Sequence, residues 1–390
     1  MNMKWLSDWF EKIEPKGKWA WLGSTYEAFH TFAFTPKTVT RSGSHIRDAV
    51  DMKRSIIIVV IALIPALLFG MWNIGYQHST NCYPLPTIHY PLITYWWFGF
   101  LRMLPLIVVS YAVGLFIEFA FAQVRHHEVN EGFLATGLLI PMIVPVTTPL
   151  WQLALAVAFA VIIGKEVFGG SGMNFLNPAL VARAFLFFSY PTHMSGDKVW
   201  IANDLWGSDA IAGATPMGQL AAGMHPSASA LDMLIGTIPG STCETSVIAI
   251  ALGALLLLFT GIASWRIMLS VFLGGGLMGL LFNAIGYNEY MQLPFYYHFL
   301  MGGFAFGAVF MATDPVTAAQ TNTGKWIYGL LIGAFAVLLR VCNPAYPEGM
   351  MLSILFMNCM APLIDHCVVA QNIKRRAKRA VAIGKEAHNG

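Results

Sequence analysis

Long apolar runs separated by short polar turns follow one another along this chain, from about residue 55 to residue 369. Each crossing of a bilayer needs about 20 predominantly apolar helical residues. The third and fifth runs are short by that measure. The pattern predicts an all-α integral membrane protein with about ten transmembrane helices, near residues 55–75, 95–121, 132–145, 150–168, 175–190, 245–263, 265–286, 295–313, 325–341 and 349–369.

Composition supports this membrane assignment. Of the 390 residues, 56% are hydrophobic and only 11% are charged, with a mean hydropathy of +0.60. Soluble domains carry roughly 25% charged residues. The first 54 residues are polar, aromatic and basic, so we expect no cleavable signal peptide there.

The basic residues are concentrated at the two ends of the chain. Nine Lys and Arg residues precede residue 55 and six follow residue 373. With a cytoplasmic N-terminus, 19 of the 23 basic residues would lie in the cytoplasmic loops and ends. This positive-inside pattern predicts that both termini are cytoplasmic and that loop 191–244 is periplasmic. Because both ends flank apolar runs, we interpret them as membrane-surface segments and expect no nucleic-acid partner.

Ten spans divide into two halves of five, and an odd number per half requires inverted topology. Residues 132–137 leading to Pro145 resemble residues 303–307 leading to Asp314 and Pro315. Broken segments at matching places predict a site inside the bundle, although such glycines can simply allow close helix packing. The predicted organisation is a cytoplasmic arm (1–54), a first membrane half (55–190), a periplasmic loop (191–244), a second half (245–369) and a basic tail (370–390).

Few residues suggest metal or haem chemistry, but several polar residues stand out. The five cysteines form no CxxC pair, and the histidines form no HxxxH pair. Asn174 and Asn177 follow a glycine-rich stretch, and three residues apart they would face the same way on a helical turn. Their amides could bind a neutral flavin ring. Alternatively, Asn177 caps a helix that begins at Pro178.

Three carboxylates, Glu118, Asp314 and Asp365, lie in or beside apolar spans. Acidic residues in the membrane are costly and usually functional, and hard oxygen ligands suit a small cation. The alternative is that each one lies at an interface, which applies most strongly to Asp365 beside the basic tail. We predict a cation path that uses Asp314 in particular.

A polar string, Asp209-Ala-Ile-Ala-Gly-Ala-Thr215, lies in the long loop. It resembles the site where a flavin transferase esterifies FMN phosphate onto a threonine. Asp209, Gly213, Ala214 and Thr215 match that pattern, and Ala212 departs from its Ser or Thr. Thr215 also fits the N-cap of a helix with Pro216 at the first position, and the two interpretations are compatible.

Four strings together resemble the B subunits of the bacterial Na⁺-translocating NADH:quinone oxidoreductases, and the likeness extends over nearly the whole chain. They occupy residues 41–48, 164–170, 174–179 and 213–215. The resemblance implies a translocase component in the bacterial inner membrane. Its ten helices would form two inverted five-helix repeats, folded like a urea channel.

The same resemblance implies cofactors and partners. FMN would be attached to Thr215 by a flavin transferase, and riboflavin would be held non-covalently near Asn174 and Asn177. Ubiquinone would bind toward the N-terminal arm and Gly114 and Glu118. Sodium uptake would involve Glu118, Asp314 and Asp365. Other subunits would complete the complex, and one of them would oxidise NADH.

Two other functions remain open from the sequence. The D subunit of an Rnf-type ferredoxin:NAD oxidoreductase shares the spans and the Gly-Ala-Thr string, but it usually lacks an arm like residues 5–54. A passive urea-channel-like transporter would use the inverted repeat alone.

Overall fold

The structure is a computed structural model, and it describes residues 12, 15, 23, 26, 40–46, 52–82, 91–125, 132–202, 213–343 and 348–389. Most of the predicted N-terminal arm lies outside the described residues. So do Asp209 and Ala212 of the flavin-transferase string.

Helices dominate the described residues, which contain no β-strand. The helices are α1 (Met52–Cys82), α2 (Leu92–Arg125), α3 (Phe133–Ile143), α4 (Leu150–Ile162), α5 (Pro178–Ser189), α6 (Pro191–Met194), α7 (Pro216–Ala221), α8 (Ala230–Ile235), α9 (Val247–Phe259), α10 (Trp265–Ile285), α11 (Glu289–Gln292), α12 (Tyr297–Leu300), α13 (Phe304–Phe306), α14 (Asn322–Cys342) and α15 (Gly349–Asn389).

The protein is a multi-pass membrane protein. Six helical segments of the described residues are long and apolar enough to cross a membrane: Lys53–Asn81, Leu92–Arg125, Leu150–Phe168, Trp265–Ile285, Asn322–Cys342 and Gly349–Ala380. Helices α3, α5 and α9 are apolar but contain only 11–13 residues. Each of the ten predicted spans overlaps a helical segment, and the third and fifth are short as expected.

The eighth predicted span is interrupted. Helix α12 ends at Leu300, and the chain passes through Gly302, whose φ of +60° lies in the left-handed region that favours glycine. A three-residue helix and a π-helical turn, Gly307–Met311, follow. The π geometry is common at functional sites. This broken segment leads to the turn that contains Asp314.

Small residues allow close packing between the long helices. A Cβ added to Gly274 would overlap the backbone carbonyl of Leu330, and one added to Gly333 would overlap that of Val271. Helices α10 and α14 therefore approach at backbone distance, as is common in membrane bundles. The two predicted halves share a pattern of helix contacts. In the first half α4 packs against α2 and α5, and in the second half α14 packs against α10 and α15, so in each half the fourth segment contacts the second and the fifth.

Candidate functional site

Two cavities of ligand size lie along helix α5. The Thr215 cavity has a volume of about 340 Å³, and its walls include Arg183, Phe187, Trp200, Thr215 and Glu348. The asparagine cavity has a volume of about 350 Å³, and its walls include Asn174, Asn177 and Asp314. A helix rises 1.5 Å per residue, so Asn177 and Phe187 lie about 15 Å apart along α5. One helix thus contributes to both cavities.

Thr215 is the N-cap of helix α7, as the sequence predicted. Its Oγ1 accepts a hydrogen bond from the Gly218 amide at 3.0 Å, and Pro216 occupies the first helical position. The cap uses the oxygen as an acceptor and leaves the hydroxyl proton free. The side chain is half-buried at the edge of the cavity. Capping is therefore compatible with an ester at the same oxygen.

Close packing explains the glycine before Thr215. A Cβ on Gly213 would overlap Cδ1 of Ile201, while the Gly213 amide donates to the Asp197 carbonyl at 2.7 Å. The extended approach to Thr215 is thus held against the segment that forms the cavity wall. A larger residue at position 213 would require the Ile201 side chain to shift.

A cluster of charged residues centred on Arg183 borders the Thr215 cavity, and Arg183 and Glu348 lie in the cavity wall. Arg183 Nη1 donates to both carboxylate oxygens of Glu244 at 3.0 Å, while Nη2 donates to Ser241 and to Glu348. The Arg183 and Glu244 side chains are only 6% and 5% exposed. Burial raises the pKa of the Glu348 carboxyl, and the Arg183 guanidinium opposes that rise. The sequence did not predict this cluster, since its members are distant in the chain.

A second buried arginine, Arg340, binds the backbone of the broken segment beside this cluster. Arg340 donates to the carbonyl oxygens of His298 at 2.6 Å and Met301 at 3.0 Å. A Cβ on Gly303 would stand 2.7 Å from the nearer Glu244 oxygen. The unwound backbone is therefore satisfied by protein groups, as irregular backbone within a membrane requires.

The asparagine cavity joins two sites that the sequence predicted separately. Asn177 Nδ2 donates to Asp314 Oδ2 at 3.2 Å, although 137 positions separate the residues. The Asp314 carboxylate also accepts from the Val316 amide and the Thr317 hydroxyl, each at 3.1 Å. The predicted flavin-binding amide and the predicted cation-path acid therefore belong to one cavity.

The alternative interpretation of Asn177 is confirmed: its Oδ1 accepts from the Ala179 and Leu180 amides and caps α5. The expectation that Asn174 and Asn177 share a helical turn is wrong, because residues 171–177 form turns and coil before α5 begins. Asn174 instead donates to the Leu176 carbonyl at 2.9 Å. Both amides nonetheless line the cavity.

Two further polar residues in the wall of the asparagine cavity were not predicted as site residues. Ser171 Oγ is buried and has no hydrogen-bond partner among the described residues. Lys165 forms a buried ion pair with Glu118. Both belong to the polar stretch before α5, and its glycine-rich composition was the available signal.

Glu118, Gly114 and Asp365 lie outside the described walls of both cavities. A Cβ on Gly114 would overlap the Phe133 ring, so this glycine allows α2 and α3 to pack. Asp365 accepts from the Gln320 and Thr321 amides at 2.7 and 3.0 Å. It therefore holds the turn that leads into α14, whose N-cap is Thr321, and this fits the interfacial alternative.

A larger cavity lies on another side of α5. It is a groove of about 720 Å³ between α5 and the pair α14–α15, and its lining is almost entirely apolar. None of the predicted site residues is in its wall. Polar groups that orient a ligand are concentrated in the two smaller cavities, which are the better candidate sites.

Comparison with known proteins gives a consistent result. The family described as "NQR2, RnfD, RnfE family" matches residues 39–374. The B subunit of a Na(+)-translocating NADH-quinone reductase from Ectopseudomonas mendocina (strain ymp) is 50% identical, with 95% of this chain and 97% of that protein covered. Proteins of the same name from Stutzerimonas stutzeri (strain A1501) and Pseudomonas aeruginosa (strain UCBPP-PA14) are each 48% identical. Those matches cover 95% of this chain and 97% and 96% of the relatives.

Proposed function

The chain belongs to the NQR2, RnfD and RnfE family, and on this premise we propose that it is the membrane electron-transfer component, the B subunit, of a Na⁺-translocating NADH:ubiquinone reductase. Electrons that another subunit takes from NADH would pass through this chain to ubiquinone, coupled to Na⁺ export. The relatives named as B subunits match over 95% of the chain, which favours this function over an Rnf-type D subunit or a passive channel.

The observation that carries the proposal is the pair of cavities along α5. One contains the Thr215 hydroxyl and the other contains Asn174 and Asn177. Two separate cofactor sites, about 15 Å apart along one helix, suit a chain that conducts electrons and need not accumulate substrate. A passive transporter requires neither an esterifiable hydroxyl nor two ligand-sized cavities.

The residues around Thr215 fit covalent FMN. Esterification by a flavin transferase would form a bond between Oγ1 and the FMN phosphorus and break the phosphoanhydride bond of an activated FMN donor. The donor's leaving phosphate and the hydroxyl proton would be released. The Gly218 amide could still donate to the ester oxygen, so the α7 cap would persist. Attachment would hold FMN beside Arg183 without a deep enclosing domain.

The asparagine cavity fits a neutral flavin such as riboflavin. Its wall is mostly apolar with a few polar groups, the usual composition of a cofactor site. The partnerless Ser171 hydroxyl supports a polar ligand here, since buried hydroxyls are normally hydrogen-bonded. When bound, the two flavins would supply the redox chemistry, and the chain would hold and separate them.

Sodium and ubiquinone enter the proposal through the acidic residues. Asp314 is the strongest member of the Na⁺ path, since it lies beside the broken segment and in a cavity wall. Glu118 forms an ion pair with Lys165 and Asp365 accepts from the turn before α14, and neither lies in the wall of the asparagine cavity. The ubiquinone site near Gly114 and Glu118 remains part of the proposal.

We further propose ten membrane crossings in two inverted five-helix repeats with urea-channel topology, in the bacterial inner membrane. Both termini would be cytoplasmic. The shared pairing of helices in the two halves supports the repeat.

Cysteine introduced at Met224, which is 54% exposed, should react with an impermeant reagent added from the periplasmic side. The unmodified chain, with its own exposed cysteines, gives the background. Labelling only from the cytoplasmic side would overturn the orientation.

The identity of residue 215 provides the decisive test. Thr215→Asn retains an N-cap acceptor but has no hydroxyl, so the protein should assemble without covalent FMN. Thr215→Ser keeps both features and should retain some attachment. In-gel flavin fluorescence and the mass of the peptide containing position 215 measure the result. Covalent flavin on the Asn variant would refute the assignment.

A further inference from the structure

A buried ion pair borders the asparagine cavity, and one of its two residues, Lys165, lies in the cavity wall. Lys165 Nζ donates to Glu118 Oε1, and the two side chains are 6% and 4% exposed. They come from different elements, since Glu118 lies in α2 and Lys165 lies in the turn after α4. Removing two charged side chains from water costs free energy, and a protein with two apolar residues in their place would often be at least as stable. The pair therefore calls for a role beyond holding the helices together.

The two charges occupy different positions relative to the cavity. Lys165 lines it and Glu118 does not. A ligand in the cavity would therefore be nearer to the positively charged member of the pair, Lys165, than to the negatively charged Glu118. Lys165 Nζ also lies 6.0 Å from the centre of the Phe133 ring. The Phe133 side chain is fully buried, so little water screens the Lys165 ammonium where it faces this ring.

The nearest other ion pair contributes less. Arg125 and Glu166 are 3.4 Å apart, and the Arg125 side chain is 36% exposed. Exposure to solvent weakens the field of such a pair. Asp314, across the cavity, is the other charged residue in its wall, and three hydrogen-bond donors contact its carboxylate. Lys165 is thus the cationic residue in the described wall of this cavity.

From this arrangement we propose that Lys165 sets the redox potential of the flavin in the asparagine cavity, with Glu118 holding and moderating its charge. The inference rests on the proposed function, because it requires a redox-active ligand there. One electron arrives from the upstream carrier of the complex and leaves toward the quinone. A nearby positive charge stabilises the form that has gained the electron and so raises the midpoint potential.

A double-mutant cycle on the purified complex tests this proposal. Glu118→Gln leaves the ammonium uncompensated and should shift the midpoint potential of the non-covalent flavin upward. Lys165→Met removes the cation at similar length and should shift it downward. The double variant should fall between the two single variants, close to wild type. Spectroelectrochemical titration measures these potentials, and the covalent flavin on Thr215, in the other cavity, is the internal reference.

Potentials that match wild type in both single variants would overturn the inference, as would shifts in the same direction. If Lys165→Met does not assemble, Lys165→Arg and Glu118→Gln still decide the question. The arginine variant keeps the charge and should show a much smaller shift than the glutamine variant. A wild-type complex without non-covalent flavin would refute the proposed riboflavin site itself. A loaded complex with unchanged potentials would refute only the role of Lys165.

Discussion

The two cavities along α5 have nearly equal volumes, about 340 and 350 Å³, but very different walls. The wall of the Thr215 cavity contains the pair Arg183–Glu348, and Arg183 also donates to the buried Glu244 outside that wall. The asparagine cavity combines mostly apolar side chains with two neutral amides, an unpartnered hydroxyl and two charged residues, Lys165 and Asp314. Volume therefore does not distinguish their ligands, whereas wall chemistry does. A tethered, phosphate-bearing group suits the first cavity, and a neutral ring held by burial suits the second.

Removing the charge at the centre of the first cavity should have the largest effect. Arg183→Met would leave the Glu244 and Glu348 carboxylates without their cation, and breaking a buried pair typically costs about 3–5 kcal/mol. We expect a matching loss in the free energy of unfolding in detergent micelles. The double variant Arg183→Met/Glu244→Gln also removes one of the two carboxylates left without a cation. It should therefore recover part of the lost free energy of unfolding. If Arg183→Met is as stable as wild type, Arg183, Glu244 and Glu348 do not form a tight charge cluster.

The asparagine cavity should respond through its ligand more than through stability. Ala at both Asn174 and Asn177 should release non-covalent flavin and preserve covalent FMN, since each lost buried hydrogen bond costs about 1–3 kcal/mol. Asn177→Ser is the matched control, because serine still caps α5. Flavin extracted after precipitation of the protein gives the content of each variant. Full riboflavin occupancy in the double variant would reduce both residues to structural roles.

In the proposed function, Asp314 links the asparagine cavity to cation uptake. Asp314→Asn keeps the size and much of the hydrogen bonding but removes the charge. If the carboxylate takes part in cation uptake, quinone reduction should require more sodium, while flavin content and NADH oxidation with an artificial acceptor persist. Sodium titrations that superimpose on wild type would assign Asp314 to structure alone.

Asp365 should have the smallest effect and provides the contrast to Asp314. Asp365→Ala removes the acceptors for the Gln320 and Thr321 amides in the turn before α14, and a typical hydrogen bond contributes about 0.5–1.5 kcal/mol. Thr321, whose Oγ1 accepts from the Gly324 amide, would still cap the helix in part. We expect a slightly lower unfolding temperature and an unchanged sodium titration. A raised sodium requirement would place Asp365 in the cation path after all.

Much of the helical framework could be predicted from the sequence. Each apolar run overlaps a helical segment, because a run of apolar residues in lipid must satisfy its backbone within the segment itself. Thr215 and Asn177 as N-caps were also predictable, since Pro follows each of them at the first helical position. These features depend only on neighbouring residues. The error on Asn174 arose where a glycine-rich stretch gave no local signal for helix or turn.

The membrane class, the helical segments, the helix caps and the threonine hydroxyl of the long loop can therefore be read from the amino-acid sequence. Which polar groups share a cavity wall depends on the three-dimensional fold. Asn177 meets Asp314 across 137 positions, and Arg183 meets Glu244 across 61. The physical reason is that lipid-facing and bundle-facing sides of an apolar helix look alike in sequence. Packing of distant segments selects the side that encloses a polar group and the partner that it finds.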